Sequence, residues 1–135
     1  MNTPSDTRQR AIAIRQPFAW AVVHAGKDAE NRSETAIRAY RPAVGCRVYI
    51  HASKGMTRAE YERADEFMAS IGVRCPAPDD LEYGGVIGSV FVRGIVTAHK
   101  SRWFNGPFAL ALADARPERF RPARGQVGLF RVQSP

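Results

Sequence analysis

The sequence predicts an α+β chain: a small, closed or nearly closed β-barrel of about six strands with two flanking helices. Three observations carry this. Several short segments alternate apolar and polar residues, as half-buried strands do. Two segments carry helix start and stop signals. The longest β-like segment, GGVIGSVFVRGIVTAH at 84 to 99, holds Gly88 and Gly94 where a strand would bend or bulge, as small barrels require.

In chain order, Ala11 to Arg15 reads as a short strand, and Pro17 suits the first turn of a helix through FAWAVVHA that stops at Gly26. This helix is apolar on nearly every side and is expected to plug or cover a core. In Arg47 to Ala52, Val48, Ile50 and Ala52 fall on one face and Arg47, Tyr49 and His51 on the other. The second helix begins with a Thr57/Glu60 capping-box pattern and Met56 and Tyr61 at staple positions. It continues as an apolar stripe of Ala64, Phe67, Met68 and Ile71 and ends at Gly72. Cys75 to Asp80 is a loop. Phe108 to Leu112 and Gln126 to Val132 complete the strands.

The chain has 135 residues, enough for one domain that buries roughly 65 to 70% of its unfolded surface without metal or disulfide staples. Residues 1–9 read as a flexible lead and 10–135 as the domain. Hydrophobic residues make up 44% and charged residues 24%, which excludes extensive disorder. No apolar run reaches the roughly 18 residues of a membrane span, and polar residues stand where a signal peptide has its apolar core. The expectation is a cytoplasmic protein with no membrane partner. Cys46 and Cys75 lack CxxC spacing, and the three histidines lack ligand spacing, so no metal is expected. GxGxxG and P-loop patterns are absent, and no cofactor is expected. The formal charge of +7 favours anionic partners such as RNA or nucleotides. Seventeen of the 20 cationic residues are Arg; Lys27, Lys54 and Lys100 are the exceptions, and a lysine, unlike an arginine, can lose its proton in a site.

Six pieces then coincide in order: IRQPFAW at 14 to 20, GKDAENR at 26 to 32, VYIHASK at 48 to 54, GGVIGSV at 84 to 90, SRWFNGPFAL at 101 to 110 and RGQVGLF at 124 to 130. Together they resemble the ASCH domain, a branch of the PUA-like superfamily, from about Ile12 to Val132. The RQP turn and the G-x-K-x-x-E-x-R segment are the specific pieces. The resemblance implies a PUA-like barrel, a cleft beside that segment, and RNA-related function, with ribonucleases and amidohydrolases of acylated cytidines among the family. It places the motif lysine on Lys27, the glutamate on Glu30 and the arginine on Arg32. Two departures stand out: Ala25 fills the glycine slot with Gly26 following, and Asp28 replaces the usual threonine. Glu30 also stands where the small amidohydrolases have a nucleophilic threonine, so that mechanism does not transfer unchanged.

Read as chemistry, Arg15 and Gln16 sit where a strand passes into a helix. Either they bind an anion at the helix N-terminus, or Arg15 pairs with Glu30. Strand alternation sets Lys27 and Glu30 on opposite faces unless Lys27 belongs to the turn after Gly26. In a shared cleft, Lys27 stabilises an oxyanion or phosphorane or acts as a base, and Glu30 activates water or holds a base edge. The alternative is a salt-bridge cluster with Arg32. His51, near Ser53 and Lys54, is either a structural histidine or an acid/base or phosphate contact. Ser101, Arg102, Trp103 and Asn105 suit stacking a base and holding its backbone, with core packing an equal account of Trp103 or Phe104. RPERFRPAR at 116 to 124 is a solvated loop or a phosphate track.

The leading expectation is an RNA- or nucleoside-interacting domain that binds single-stranded RNA or a modified nucleotide around Lys27. The alternatives are a metal-independent hydrolase, either a ribonuclease using His51 and Lys27 or an amidohydrolase of N-acylated nucleosides such as acetylcytidine, and a non-catalytic interaction domain.

Overall fold

The turn at Gln16 and Pro17 separates a first strand, β1 (Arg8–Ile14), from helix α1 (Phe18–His24). The computed structural model describes residues 8 to 135. Gly26, at a φ of 71°, stops α1 in the left-handed conformation that glycine adopts at low cost, and β2 (Ala29–Arg32) follows. Two short helical pieces come next, α2 (Glu34–Ile37), capped by the Ser33 hydroxyl, and a 3-10 helix (Arg38–Ala43). The sequence pattern showed no sign of either, since four residues are too few to show a period. Strand β3 (Arg47–Ala52) leads to α3 (Arg58–Ser70), where Thr57 accepts from the Glu60 N–H and the Glu60 carboxylate accepts from the Thr57 N–H. The expected capping box is present. After a 3-10 turn (Pro78–Asp80) come β4 (Gly85–Val96), β5 (Phe108–Pro122) and β6 (Leu129–Gln133).

The strands form one six-stranded sheet in the order β2-β5-β4-β3-β1-β6, with β1 and β3 parallel and the other neighbours antiparallel. The α+β architecture and the six strands are as expected. Closure is not: β2 and β6 are the two edges, so the sheet is open. Gly88 and Gly94 do mark irregularities, because the β4–β5 register shifts between Val86 and Gly88 and between Val92 and Gly94. At Gly88 a side chain would lie 2.6 Å from the Arg116 carbonyl and 2.8 Å from Val23, so its absence lets α1 press onto the strand.

Several boundaries differ from the sequence reading: β6 begins at Leu129 and not at Gln126, and β4 ends at Val96. Arg8 and Gln9 belong to β1, paired with Gln133 and Val132; the rest of the expected lead, residues 1 to 7, lies outside the described residues. RPERFRPAR is mostly strand, not loop: β5 runs through it to Pro122 beside β4. Only Phe108 to Arg116 precede its first proline, and β2 covers only Phe108 to Ala111. Pro117 and Pro122 therefore lie where one side of β5 has no strand neighbour, the setting in which a strand tolerates proline.

The main core lies on one face of the sheet, where Ile12, Ile14, Val48, Ile50, Val90, Val92 and Leu110 meet Ala19 and Val22 of α1. Each fully buried Ile or Leu there contributes about 1.5 to 3 kcal/mol relative to exposure. A second cluster joins α3 to the sheet through Met68, Ala21, Ala109 and Trp103. A third, on the other face of β1 and β3, contains Ala11, Val86, Phe130 and Val132.

Candidate functional site

A cleft of about 1620 Å³ opens where the C-terminal ends of β1 and β3 meet β2, α3 and the segment from Pro122 to Gly128. At its floor lies the charge cluster of the GKDAENR segment. Lys27 belongs to the turn after Gly26 and not to β2, which frees its side chain from strand alternation. Its ammonium donates to the Glu30 Oε1 at 2.6 Å and to the Ala29 carbonyl at 2.7 Å, and stands 5.4 Å from the centre of the Phe18 ring. Arg32 donates to the other Glu30 oxygen at 3.1 Å and to the Ala13 carbonyl at 3.2 Å, over the face of Tyr40. Lys27 and Glu30 are each only 4% exposed. Burial works against the charge on Arg32, but Glu30 and Tyr40 outweigh it and hold the guanidinium pKa above its ordinary value. One carboxylate thus bridges two cations, leaving one positive charge in excess at the floor.

Arg15 does not pair with Glu30, as one reading had it. It grips Glu60 of α3 through two bonds, Nε to Oε2 at 2.5 Å and Nη2 to Oε1 at 2.6 Å. Gly55 sits beneath it, with Nη1 and Nη2 of the guanidinium each 3.6 Å from where a side chain would begin. The Arg15 hydrogen bonds hold the Glu60 carboxyl down at about 2, below its ordinary 4.5. This pair adds stability that is fully present above about pH 4.5 and is lost as the pH falls toward 2. Arg15→Gln should lower Tm by about 3–5 °C at pH 6, the effect of at most about 1 kcal/mol from a partly exposed pair. That difference should vanish by about pH 2 in paired thermal melts; a difference unchanged across this range would show that the carboxylate is not the partner that matters.

Gln16 is buried, and both ends of its amide are in use: Nε2 donates to the Glu82 carbonyl and Oε1 accepts from the Trp20 N–H. Gln16 lines the cleft, with its own amide engaged at the start of α1, where the sequence reading set an anion. His51 is 1% exposed. Its Nε2 donates to the Ala123 carbonyl at 2.6 Å, its ring meets Phe130 edge-on, and its buried Nδ1 has no partner. Gly125 covers the ring so closely that a side chain there would lie 2.8 Å from Cε1. His51 borders the cleft as a packed histidine.

Ser53 and Lys54 line the cleft, as do Trp103 and Asn105. Trp103 is at once a core residue, packed on Phe67 with ring centres 5.8 Å apart. Ser101 and Arg102 do not reach the cleft: the Ser101 hydroxyl accepts from the Trp103 N–H, and Arg102 points toward the Ile71 carbonyl at the end of α3. Their turn faces away because Trp103 goes inward. The sequence reading overlooked Asn31, whose amide donates to the Trp103 carbonyl and accepts from the Asn105 N–H, fastening the 101–106 loop to β2. It also overlooked Arg63, Tyr83 and Phe67 on the cleft wall; of the RPERFRPAR arginines read as a phosphate track, Arg124 lies at the rim. The capping pattern gives the phase of α3, and from it Phe67 and Arg63 could have been assigned to the face that Glu60 shares.

Six cationic side chains therefore border the cleft, Arg15, Lys27, Arg32, Lys54, Arg63 and Arg124, against the carboxylates of Glu30 and Glu60. Lys54, Arg63 and Arg124 are exposed and have no ion-pair partner among the described residues. Among the described residues no cluster of three or more His, Cys, Asp or Glu could hold a metal, and no helix is long and apolar enough to cross a membrane.

No family model and no curated protein matches the chain. Solved structures do. The crystal structure of ASCH from Zymomonas mobilis is 18% identical with a TM-score of 0.52, and that of a serine-to-alanine mutant of the same protein is 19% identical with a TM-score of 0.50. Each match covers 95% of this chain and 90% of the other. Identity at this level speaks for the fold alone, over nearly the full described length. The open six-stranded sheet with its helices, read together with these two structures, is the fold of an ASCH domain.

Proposed function

We propose that the cleft binds single-stranded RNA or a modified nucleotide. The observation that carries this reading is the excess of four positive charges around one concavity whose wall is partly aromatic, from Phe18, Tyr40, Phe67 and Tyr83. Cations supply the attraction for phosphates, and aromatic rings accept bases of any sequence by stacking. The volume exceeds the roughly 300 to 1,000 Å³ of an ordinary small-molecule pocket, which favours a short strand over a mononucleotide.

Binding of a fluorescein-labelled eight-nucleotide single-stranded RNA, followed by anisotropy, tests this. Neutralising about four phosphates predicts a slope of log K against log salt of about −3, and the double variant Lys54→Ala/Arg124→Ala should flatten it by about 1.4. A wild-type affinity insensitive to salt, or a slope untouched by the double variant, would remove the reading.

A second reading has one specific observation behind it, the Lys27–Glu30 contact of 2.6 Å in a buried floor. As an amidohydrolase, the protein would use a remaining Lys27 N–H as donor to the oxyanion formed when water adds to an N-acyl group. Chelator-insensitive release of cytidine from N4-acetylcytidine, lost in Lys27→Ala, would support it; no release by the wild type retires it. The ribonuclease form has no such observation, because His51 gives its Nε2 hydrogen to Ala123 and lies under Gly125.

A further inference from the structure

Outside the cleft, the sheet carries a second cationic surface. Along β3, Arg47, Tyr49 and His51 share the face turned away from the main core, and the β3–β4 register sets Arg47 opposite Phe91 and Tyr49 opposite Ser89. The β4–β5 register continues that face through Arg116, opposite Ser89, and Arg121, opposite Val86. Arg93 follows Phe91 two residues along β4, and both are exposed. Among the described residues few large apolar side chains are exposed, and Phe91 is one of them.

The arginines are arranged, not scattered. A single oxygen of Asp114 accepts from Arg47 at 2.5 Å and from Arg116 at 2.8 Å, so one carboxylate holds two guanidiniums side by side and leaves one charge over. Asp114 achieves this from a left-handed conformation, φ 51°, at the register shift between Phe91 and Ser89. It is the only non-glycine residue with positive φ among the described residues, and its local strain gathers the two cations. Arg121, held at one nitrogen by Glu118, lies mostly buried over Tyr49, 4.7 Å from the ring centre, and brings its charge to the end of this face.

We infer that this face, formed by Arg47, Phe91, Arg93, Arg116 and Arg121, is a second RNA-contacting surface, along which a strand too long for the cleft continues. An exposed aromatic on a central strand flanked by guanidiniums is how a sheet holds unstacked bases while fixing phosphates. Arg47 lies four residues before His51, which borders the cleft, on the same side of β3, so about 13 Å of strand separates the two surfaces. The inference shares with the proposed function the premise that RNA is the ligand, but not the cleft residues.

Two labelled single-stranded RNAs, of four and sixteen nucleotides, test it against Phe91→Ser/Arg116→Ala and, separately, Lys54→Ala/Arg124→Ala. Both pairs sit at exposed positions, and thermal melts check that each variant is folded. The face variant should weaken the sixteen-mer about tenfold or more, as loss of one stacked base and one phosphate contact does, and leave the four-mer within about twofold. The cleft variant should weaken both. Equal affinity of wild type and face variant for the sixteen-mer overturns the second surface while leaving the cleft standing. An unaffected cleft variant overturns the cleft alone, and wild type that binds neither RNA overturns both. If the wild type sediments as a dimer and Phe91→Ser as a monomer, the face is a contact between copies and the inference falls.

Discussion

Glu30→Ala should lower the stability of the protein by about 3–5 kcal/mol, because it leaves Lys27 and Arg32 facing each other across a nearly dry floor with no counter-charge. Two losses compound there. The hydrogen bonds from Lys27 and Arg32 to the carboxylate disappear, and the ammonium, 4% exposed, cannot recover them from water. Lys27→Met should cost less, since Glu30 keeps Arg32 and the methionine fills the space beside Phe18. Glu30→Gln, which keeps an acceptor but loses the charge, should fall between. Urea unfolding of the three variants gives the order directly. A loss below about 1 kcal/mol for Glu30→Ala would mean that Lys27 swings into the cleft and rehydrates, and the rigid floor assumed for either proposed activity would be gone.

Gly85→Ala should have the next largest effect. A methyl group there would lie 2.3 Å from the Arg121 carbonyl and 2.6 Å from the Phe120 ring, and backbone cannot step aside as a flexible side chain can. Overpacking of this kind costs about 1–3 kcal/mol. The consequence reaches the cleft, because Gly85 pairs with Pro122 at the end of β5 and the next residue, Ala123, supplies both a bond to Gly84 and the carbonyl that receives His51. Guanidinium unfolding should show the stability loss, and the His51 imidazole resonances should lose the signature of a fixed Nε2–H. A variant as stable as wild type, with an unchanged His51 signal, would show that the end of β5 moves without cost.

How far these features could be read from the sequence depended on the range of the interaction that fixes them. The α3 cap is written in four consecutive residues, Thr57 to Glu60, and the stop at Gly26 in one, so both were legible. The floor of the cleft was half legible. GKDAENR named Lys27, Glu30 and Arg32, but strand alternation set Lys27 and Glu30 apart, and only the left-handed Gly26 shows why they meet. Arg15 finds Glu60 across 45 residues, and His51 finds Ala123 across 72, so neither partner is visible locally. The length of β5 was hidden because Pro117 and Pro122 signal a break, and whether a proline breaks a strand depends on which side of it is occupied.

The Asn31 clasp bears on how the edge of the sheet opens. β2 is four residues long and has a strand neighbour on one side only. The Asn31 side chain bonds the Trp103 carbonyl and the Asn105 N–H, in the loop that leads into β5, the strand with which β2 pairs. So short a strand has few ladder bonds of its own, and the clasp makes its departure from the sheet conditional on that of the loop, so the two should exchange their amide hydrogens as one unit.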